Sequence, residues 1–270
     1  MDKAVILARG LGTRMRREDP GAALNADQEQ VAASGIKALI PVGRPFLDYV
    51  LAALAAAGYR RVCLVVGPEH QTLRHYYGRL ECERLEIEFA VQEKPLGTAD
   101  AVAAAENFAA GEPFLAINSD NYYPIEALRV LRQLDGPGLV AFERAALVTA
   151  SNIPPDRLNR FAVVETDAEG CVARLIEKPD PEQLETLSRS QSTGMSMNCW
   201  RFDAGIFPAC RAIQPSPRGE LEITDAVHCA IHEQGQRFRV VPMAVPVLDL
   251  SSREDVEPVK ALLQGVEVRL

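Results

Sequence analysis

The sequence predicts an α/β fold of three layers, with helices on both faces of a mostly parallel, mixed central sheet. Two observations support this prediction. Short apolar runs alternate with stretches of helical periodicity through the first half of the chain, and strands buried between two layers of helices have such runs. The first run, residues 3–8, ends at a segment with glycines at 10 and 12, which indicates a buried strand that leads into a loop.

The elements of the first half follow from their boundary residues. A helical pattern begins after Pro45 and stops before Gly58, and Thr98 opens another helix. We predict strands at 3–8, 61–66, 85–91 and 113–118, and helices at 46–57, 69–78 and 98–109. Residues 18–36 are polar and rich in alanine and show no clear hydrophobic period, so we predict no element there.

The second half has an α+β texture. Residues 160–166 and 171–176 flank Asp167-Ala168-Glu169-Gly170, which predicts a hairpin. We also predict strands at 138–144, 194–202 and 237–243, and helices at 203–211, 222–233 and 252–264. No linker or repeat separates two units, so we expect one domain over residues 1–270 with two halves, about 1–135 and about 136–270.

Composition excludes several classes of protein. The 270 residues carry 29 Lys and Arg against 37 Asp and Glu, and the net charge of −8 argues against a nucleic-acid binder, which needs a basic face. The apolar runs are shorter than the roughly 20 residues that cross a bilayer, so we expect no membrane segment. The first residues lack the pattern of a signal peptide, and we therefore expect a cytoplasmic protein.

The loop after the first strand predicts phosphate binding. Gly10 and Gly12 allow main-chain amides to approach a polyphosphate closely. Four arginines, at 9, 14, 16 and 17, surround these glycines in a chain that is acidic overall, and guanidinium groups pair well with phosphate oxygens. A basic turn that only faces solvent is the alternative.

Seven segments of the chain resemble, in order, the motifs of the sugar-1-phosphate nucleotidylyltransferases, also called NDP-sugar pyrophosphorylases. They are Gly10-Leu11-Gly12-Thr13-Arg14, Lys37-Ala38-Leu39-Ile40-Pro41-Val42, Gln92 with Pro95-Leu96-Gly97-Thr98-Ala99, Asn118-Ser119-Asp120-Asn121, Glu177-Lys178-Pro179, Glu220-Leu221-Glu222-Ile223-Thr224-Asp225, and Leu248-Asp249 with Ser252-Arg253-Glu254-Asp255. The resemblance covers nearly the whole chain and implies a Rossmann-like nucleotidyltransferase fold of the GT-A type. It assigns the first half to the NTP and the second half to the sugar phosphate.

The resemblance implies a reaction in which an NTP and a sugar 1-phosphate give an NDP-sugar and pyrophosphate, with Mg²⁺ as cofactor. Such phosphoryl chemistry depends on positioning and charge neutralisation. Carried over to matching positions, the catalytic residues are Arg14, Lys37 and Lys178. The nucleotide-binding residues are Gly10, Gly12, Thr13, Gln92 and Gly97, the sugar-binding residues are Glu177 and Asn198, and the metal ligands are Asp120 and Asp249.

Several of these residues also have an ordinary structural interpretation. Asp120 follows a predicted strand and is a good helix N-cap, and Asp249 suits a turn. Lys178 precedes a proline and suits an exposed loop, whereas Gln92 suits the end of a strand.

The sequence departs from the family pattern at several places, and one of them is Ile36, which precedes Lys37 where the family has proline. Arg9 stands where the family has glycine or alanine, which puts a long charged side chain beside the nucleotide. The stretch from Arg14 to Lys37 is about ten residues longer than the pattern, and we interpret residues 18–36 as a mobile flap over the NTP. Ala162 stands where the family has a glycine whose main chain approaches the sugar, which favours a sugar other than plain glucose.

Three functions remain open on the sequence. The first is the sugar-1-phosphate nucleotidylyltransferase, with dTTP or UTP as the first expectation. The second is a cytidylyltransferase for an alcohol phosphate or phosphonate, and the third is a regulatory subunit that binds nucleotide sugar without turnover. The sequence also leaves open the pathway and the oligomeric state, a homo-oligomer included.

Overall fold

The structure, a computed structural model, describes residues 1–188 and 193–270. The strands are β1 (Lys3–Leu7), β2 (Arg61–Val66), β3 (Glu86–Val91), β4 (Phe114–Asn118), β5 (Asn121–Tyr122), β6 (Gly138–Phe142), β7 (Ala162–Thr166), β8 (Val172–Ile176), β9 (Thr193–Phe202), β10 (Arg239–Met243) and β11 (Leu248–Asp249). The helices are α1 (Thr13–Arg16), α2 (Ala26–Ser34), α3 (Phe46–Ala57), α4 (Gln71–Tyr77), α5 (Thr98–Ala104), α6 (Glu106–Ala109), α7 (Ile125–Gln133), α8 (Arg144–Ala150), α9 (Pro181–Ser188), α10 (Ile206–Ala212), α11 (Ile223–His232) and α12 (Val256–Leu262).

In the described residues, strands from both halves of the chain form one sheet. Its order is β10-β6-β9-β4-β1-β2-β3, and β7 joins β9 and carries β8. The pairs β1 with β2, β1 with β4, and β2 with β3 are parallel, whereas β9 runs antiparallel to β4 and β6. The predicted mixed, mostly parallel sheet is confirmed. A separate antiparallel ribbon joins β5 to β11.

Alternate side chains of the central strands enter two different cores. Ala4 and Ile6 of β1 pack in one core with α3, α7 and α12, whereas Val5 packs in the other with α5, α10 and α11. Because successive side chains of a strand point to opposite faces, the two cores lie on opposite sides of the sheet. This arrangement is the three-layer sandwich that the sequence predicts.

Two local expectations were wrong. The predicted helix at 98–109 is two helices, α5 and α6, with a break at Ala105. Residues 18–36 contain helix α2, which begins with a capping box of Asn25 and Gln28. The sequence shows no hydrophobic period there because the helix buries only Gln28 and Ala32, so capping rather than an apolar stripe specifies it.

Helix α2 is anchored to the body of the protein. The buried Arg253 donates to Met15 O at 3.0 Å and pairs with Glu29 at 2.5 Å, and Gln28 Nε2 donates to Pro41 O at 2.9 Å. These contacts place residues 26–34 as a docked helix, and closure of this segment over a nucleotide stays a prediction. Within the described part of the chain, no helix is both long enough and apolar enough to span a membrane.

Candidate active site

A cavity of about 280 Å³ opens at the carboxyl ends of the parallel strands. The loops that follow β1, β3 and β4 meet there, as the parallel register requires, and the change of direction in strand order between β1 and β4 opens a crevice. Of the residues predicted to bind substrate, the cavity is lined by Gly10, Lys37, Gln92, Gly97, Asp120 and Asn198. Ligands of open α/β sheets bind at this edge.

The two loop glycines have different environments. A Cβ on Gly12 would clash with the main chain of Gly35, and its φ of +60° disfavours other residues, so the protein itself requires this glycine. A Cβ on Gly10 would meet no atom within 4 Å, and Gly10 lines the cavity. The open space over Gly10 is therefore available to a ligand. Thr13 and Arg14 follow as exposed residues in the short helix α1 and do not line the cavity.

Lys37 and Asp120 form an ion pair in the cavity. Lys37 Nζ lies 2.8 Å from Asp120 Oδ2, and the two side chains are 14% and 23% exposed. Lys37 begins a 3₁₀ turn, Lys37–Leu39, directly after the segment that contains α2, whereas Asp120 lies in the turn between β4 and β5. The pair places one positive and one negative group at the same wall of the cavity.

Asp249 lies beside Asp120 but is buried behind the cavity wall. The β5–β11 ribbon pairs Asn121 with Asp249, and Asp120 O accepts from Leu250 N at 2.8 Å. Burial raises the pKa of Asp249, and the charge on Asp120 raises it further. The two carboxylates are therefore close enough to repel each other, and a cation between them would relieve this repulsion.

The donor set fits Mg²⁺ that is shared with a substrate. In the described residues, no group of three or more His, Cys, Asp and Glu side chains is arranged to hold a metal. Mg²⁺ commonly takes only one or two carboxylates and fills its remaining positions with phosphate oxygens and water. Asp120 and Asp249 would supply those carboxylates.

Each Asp249 oxygen already has a partner. Asn121 Nδ2 donates to Oδ1 at 3.0 Å, and Arg157 Nη1 lies 3.3 Å from Oδ2. Arg157 also pairs with Asp255 at 2.6 Å, and all three charged side chains are nearly inaccessible to solvent. This network fixes Asp249 against β5 and balances part of its charge.

A chain of amides connects Asn198 to Asp249. Asn198 Nδ2 donates to Asn118 Oδ1 at 3.5 Å, Asn118 Nδ2 donates to Asn121 Oδ1 at 3.0 Å, and Asn121 continues to Asp249. Asn198 has a φ of +55° in a β-bulge where β9 loses register with β6. Bulges next to sites redirect side chains, and this one directs Asn198 to the cavity.

The side chain of Gln92 has a fixed orientation. Its Nε2 donates to Gly97 O at 3.0 Å and to Asp100 Oδ2 at 2.7 Å. Both partners are acceptors, so the amide hydrogens must face them and Oε1 must face away. Oε1 has no hydrogen bond to the described residues, and Gln92 lines the cavity. The site therefore presents an acceptor to a ligand there.

Gly97 allows the segment 95–99 to pack closely against the second half of the chain. Leu221 N donates to Leu96 O at 2.7 Å, and Ala99 N donates to Leu221 O at 2.9 Å. A Cβ on Gly97 would lie 2.5 Å from Leu221 O and 2.6 Å from Leu221 N, and φ is +126°. The close approach of these two main chains requires a glycine.

We expect Gly97→Ala to destabilise the protein more than Gly111→Ala does. Gly111 also has a positive φ, +80°, but a Cβ there would meet no atom within 4 Å. Backbone strain lowers the free energy of unfolding of both variants by about 1–3 kcal/mol. Only Gly97→Ala adds the clash with Leu221. Urea unfolding of both variants measures the difference, and equal losses would show that the contact with Leu221 is unimportant.

Glu177 and Lys178 do not line the cavity. Thr224 Oγ1 donates to Glu177 Oε2 at 3.4 Å, and Arg218 lies 3.8 Å from Oε1. Burial raises the pKa of Glu177, as does the nearby Glu222, whereas Lys178 and Arg218 lower it. Lys178 is exposed, with φ +46°. The segment 220–224 connects this cluster to the cavity, because Glu220 lines the cavity wall.

Sequence reasoning missed Asp100, Asn118, Asn121 and Arg157. The first three lie in or beside the motifs, and the polar side chains of Asn118 and Asn121 at strand ends were a usable signal, whereas Asp100 lies in the first turn of α5. Arg157 lies 92 positions from Asp249, and nothing local in the sequence connects the two.

A family model described as nucleotidyl transferase matches residues 3–244. The chain belongs to this family. The predicted family and its enzyme class, nucleotidyltransferase, are thereby confirmed.

Two known proteins illustrate the relationship. The bifunctional protein GlmU of Methanococcus vannielii is 29% identical over 225 residues, which are 83% of this chain and 46% of that protein. The glucose-1-phosphate thymidylyltransferase of Xanthomonas campestris pv. campestris is 27% identical over 270 residues, which are 99% of this chain and 82% of that protein. This nucleotidyltransferase thus spans about half the length of the first relative and most of the second.

A solved structure shares the fold. UDP-glucose pyrophosphorylase complexed with UDP-glucose superimposes with a TM-score of 0.74 and 17% identity, over 99% of this chain and all of that one. The likeness extends over both halves of this nucleotidyltransferase.

Proposed function

We propose that this nucleotidyltransferase joins a nucleoside triphosphate to a sugar 1-phosphate and releases pyrophosphate. One observation carries the proposal: Gly10, Lys37, Gln92, Asp120 and Asn198, which come from five separate segments, meet at one cavity. The thymidylyltransferase and UDP-glucose pyrophosphorylase that resemble the chain are named for such products. The chain's likeness to the first covers most of both proteins.

The proposed reaction is a displacement at the α-phosphorus. An oxygen of the sugar phosphate forms a bond to that phosphorus, and the bond to the bridging oxygen breaks, so that pyrophosphate leaves with the electron pair. No protein base is needed, because the attacking phosphate is already ionised. The open space over Gly10 would admit the triphosphate, and Lys37 would pair with its oxygens.

Mg²⁺ is part of the proposal, with Asp120 and Asp249 as its ligands. When bound, the ion neutralises charge on the phosphates and holds them in line. Lys37 now pairs with Asp120, and it is free to turn to a phosphate when a cation replaces it there. Asn121 and Arg157 fix the orientation of the Asp249 carboxylate. Arg14 and Lys178 would bind phosphate from the exposed rim.

The acceptor at Gln92 favours a base that has an N–H on the ring nitrogen of its pairing edge. Uracil, thymine and guanine carry a hydrogen on that nitrogen, whereas the ring nitrogen of cytosine and of adenine is an acceptor. Two acceptors that face each other lose a hydrogen bond and leave buried polar atoms unpaired, which costs about 1–3 kcal/mol. Taken with the names of the relatives, this favours UTP or dTTP. For the sugar phosphate we propose Glu177 and Asn198 as hydroxyl ligands.

Pyrophosphate release tests the function. The full chain is assayed with Mg²⁺ and each of ATP, CTP, GTP, UTP and dTTP, paired with glucose, mannose and N-acetylglucosamine 1-phosphates. We expect release with UTP or dTTP at about 10- to 100-fold the efficiency seen with CTP. Preference for CTP would overturn the base assignment. Tight NTP binding without release across the panel would overturn the proposed sugar-phosphate reaction.

The variant Asp100→Asn tests the role of Gln92. An asparagine can present its amide group as well as its oxygen, so one of the two acceptors that fix the orientation of the Gln92 amide is no longer obligatory, while Gly97 O remains. We expect the preference over CTP to fall in this variant. An unchanged preference would show that Asp100 is not needed to set the orientation in which Gln92 meets the base.

A further inference from the structure

Arg9 departs from the family pattern, and its side chain does not extend into the phosphate loop. It lies at the cavity wall, 6% exposed, and its guanidinium turns to the end of β3. Nε donates to Gln92 O, and Nη2 donates to Glu93 O at 3.2 Å. Nη2 also lies 3.3 Å from Glu69, which is half exposed. One side chain therefore holds two consecutive carbonyls beside the cavity.

These contacts complete the restraint of Gln92. Its N–H donates to Val66 O at 2.9 Å, its carbonyl accepts from Arg9, and its amide hydrogens bind Gly97 and Asp100. Oε1 is then the group of Gln92 that lacks a partner in the described residues. The strand before it, β3, ends the strand order of the sheet and, within residues 1–188 and 193–270, pairs only with β2. Without Arg9, the carbonyls of Gln92 and Glu93 would lose this guanidinium donor.

The arrangement needs the shape of a guanidinium. Nε and Nη2 form a planar fork whose two N–H groups suit neighbouring acceptors, and a lysine has no such fork. Nη1 is buried without a partner in the described part of the chain. An unpaired buried donor is costly, so packing alone is a poor reason for an arginine here.

We propose that Arg9 is a positioning residue for base selection: it fixes the carbonyls of Gln92 and Glu93 and so sets the place from which Gln92 Oε1 meets the base. This inference rests on the proposed function, because it concerns the same nucleotide cavity. Arg9 itself stays bound to protein carbonyls and does not contact the reacting phosphates. Replacement of Arg9 should change the choice of base and the affinity for the NTP more than it changes kcat at saturating substrate.

The test compares Arg9→Met, Arg9→Lys and Glu69→Gln in the full chain. Values of kcat and KM are measured for the preferred NTP and for CTP with one sugar phosphate. Calorimetry measures the binding of each nucleotide alone. For Arg9→Met we expect KM for the preferred NTP to rise about tenfold and its advantage in kcat/KM over CTP to fall about tenfold. We expect kcat at saturation to stay within about threefold and KM for the sugar phosphate to be unchanged.

The other two variants separate the contacts of Arg9. Arg9→Lys keeps the charge without the fork and should restore the base preference only in part. Glu69→Gln removes only the half-exposed ion pair and should leave the preference as in the unmodified protein. If Arg9→Met does not fold, Arg9→Lys is compared with the unmodified protein by the ratio of kcat/KM for the preferred NTP to kcat/KM for CTP.

The inference would be overturned if the folded Arg9 variants kept the same ratio of kcat/KM between the preferred NTP and CTP. An equal fall in kcat/KM for both nucleotides leaves that ratio unchanged and would overturn it too. The proposed function fails separately, when the unmodified protein releases no pyrophosphate with any pair. In that case the calorimetric ratio of nucleotide affinities still decides the role of Arg9.

Discussion

Replacement of Asp120 by asparagine is expected to lower kcat/KM for the proposed reaction by about 10³-fold or more, which is about 4 kcal/mol of transition-state stabilisation. The variant keeps the size of the side chain and removes one of the two carboxylates that fit Mg²⁺. Folding should change little, because two effects oppose each other. Lys37 loses its ion pair, and Asp249 loses a repulsive neighbour.

The matched control is Asp135→Asn. Asp135 is exposed and directly precedes the region of β6. It therefore lies near the amino end of that strand, whereas the cavity lies at the carboxyl ends of the parallel strands. Steady-state kinetics and thermal unfolding of both variants, with and without NTP and Mg²⁺, make the comparison. In the unmodified protein, Mg²⁺ should increase the thermal stabilisation by NTP, and in Asp120→Asn it should not. Near-normal kinetics in Asp120→Asn would remove Asp120 from the proposed metal site.

The fold was predictable because each central strand has a local sequence signal. Residues 3–7 and 61–66 are buried apolar runs next to glycine or a turn, and the alternation with helices then dictates a sheet covered on both faces. Helix α2 was not predictable in this way. Its apolar stripe is almost absent, and only its capping box marked it.

The candidate site was predictable from the sequence to the extent that motif residues line the cavity. Gly10, Gln92 and Asp120 follow β1, β3 and β4, and parallel pairing brings residues after such strands to one edge, where Lys37 joins them from its 3₁₀ turn. The orientation of Arg9 was not predictable, because the sequence does not reveal which of several rotamers a long side chain adopts. The sequence predicted a charge beside the nucleotide, and the structure has a guanidinium bound to two carbonyls.

The support of Asp249 depends on distant residues. Arg157 and Asn152 belong to the segment before β7, and both bind the strand that carries Asp249. Only the folded chain brings these elements together. Pattern reasoning finds residues that share a motif, and it does not find partners that compensate a buried charge from another part of the sequence.

Replacement of Arg157 by methionine is expected to lower the free energy of unfolding by about 3–5 kcal/mol near neutral pH. Arg157 is the buried cation between Asp249 and Asp255, at 3.3 and 2.6 Å. Methionine fills similar space and leaves both carboxylates without this partner. Urea unfolding measures the loss, and Arg160→Met is the control, because Arg160 is an exposed residue of the same 3₁₀ segment, Pro155–Arg160.

The pH dependence of this loss identifies its cause. Burial and the charge on Asp120 already raise the pKa of Asp249, and removal of Arg157 should raise it further. A carboxylate whose pKa is higher in the folded state than in the unfolded state destabilises the protein above the folded pKa, and this penalty disappears as protonation proceeds below it. The loss in Arg157→Met should therefore be largest at about pH 8 and shrink toward about pH 5. Adding Asp255→Asn should recover part of it, because one uncompensated charge is removed. A loss that is the same at every pH, and that Asp255→Asn does not reduce, would mean that Arg157 stabilises the protein by packing rather than by charge.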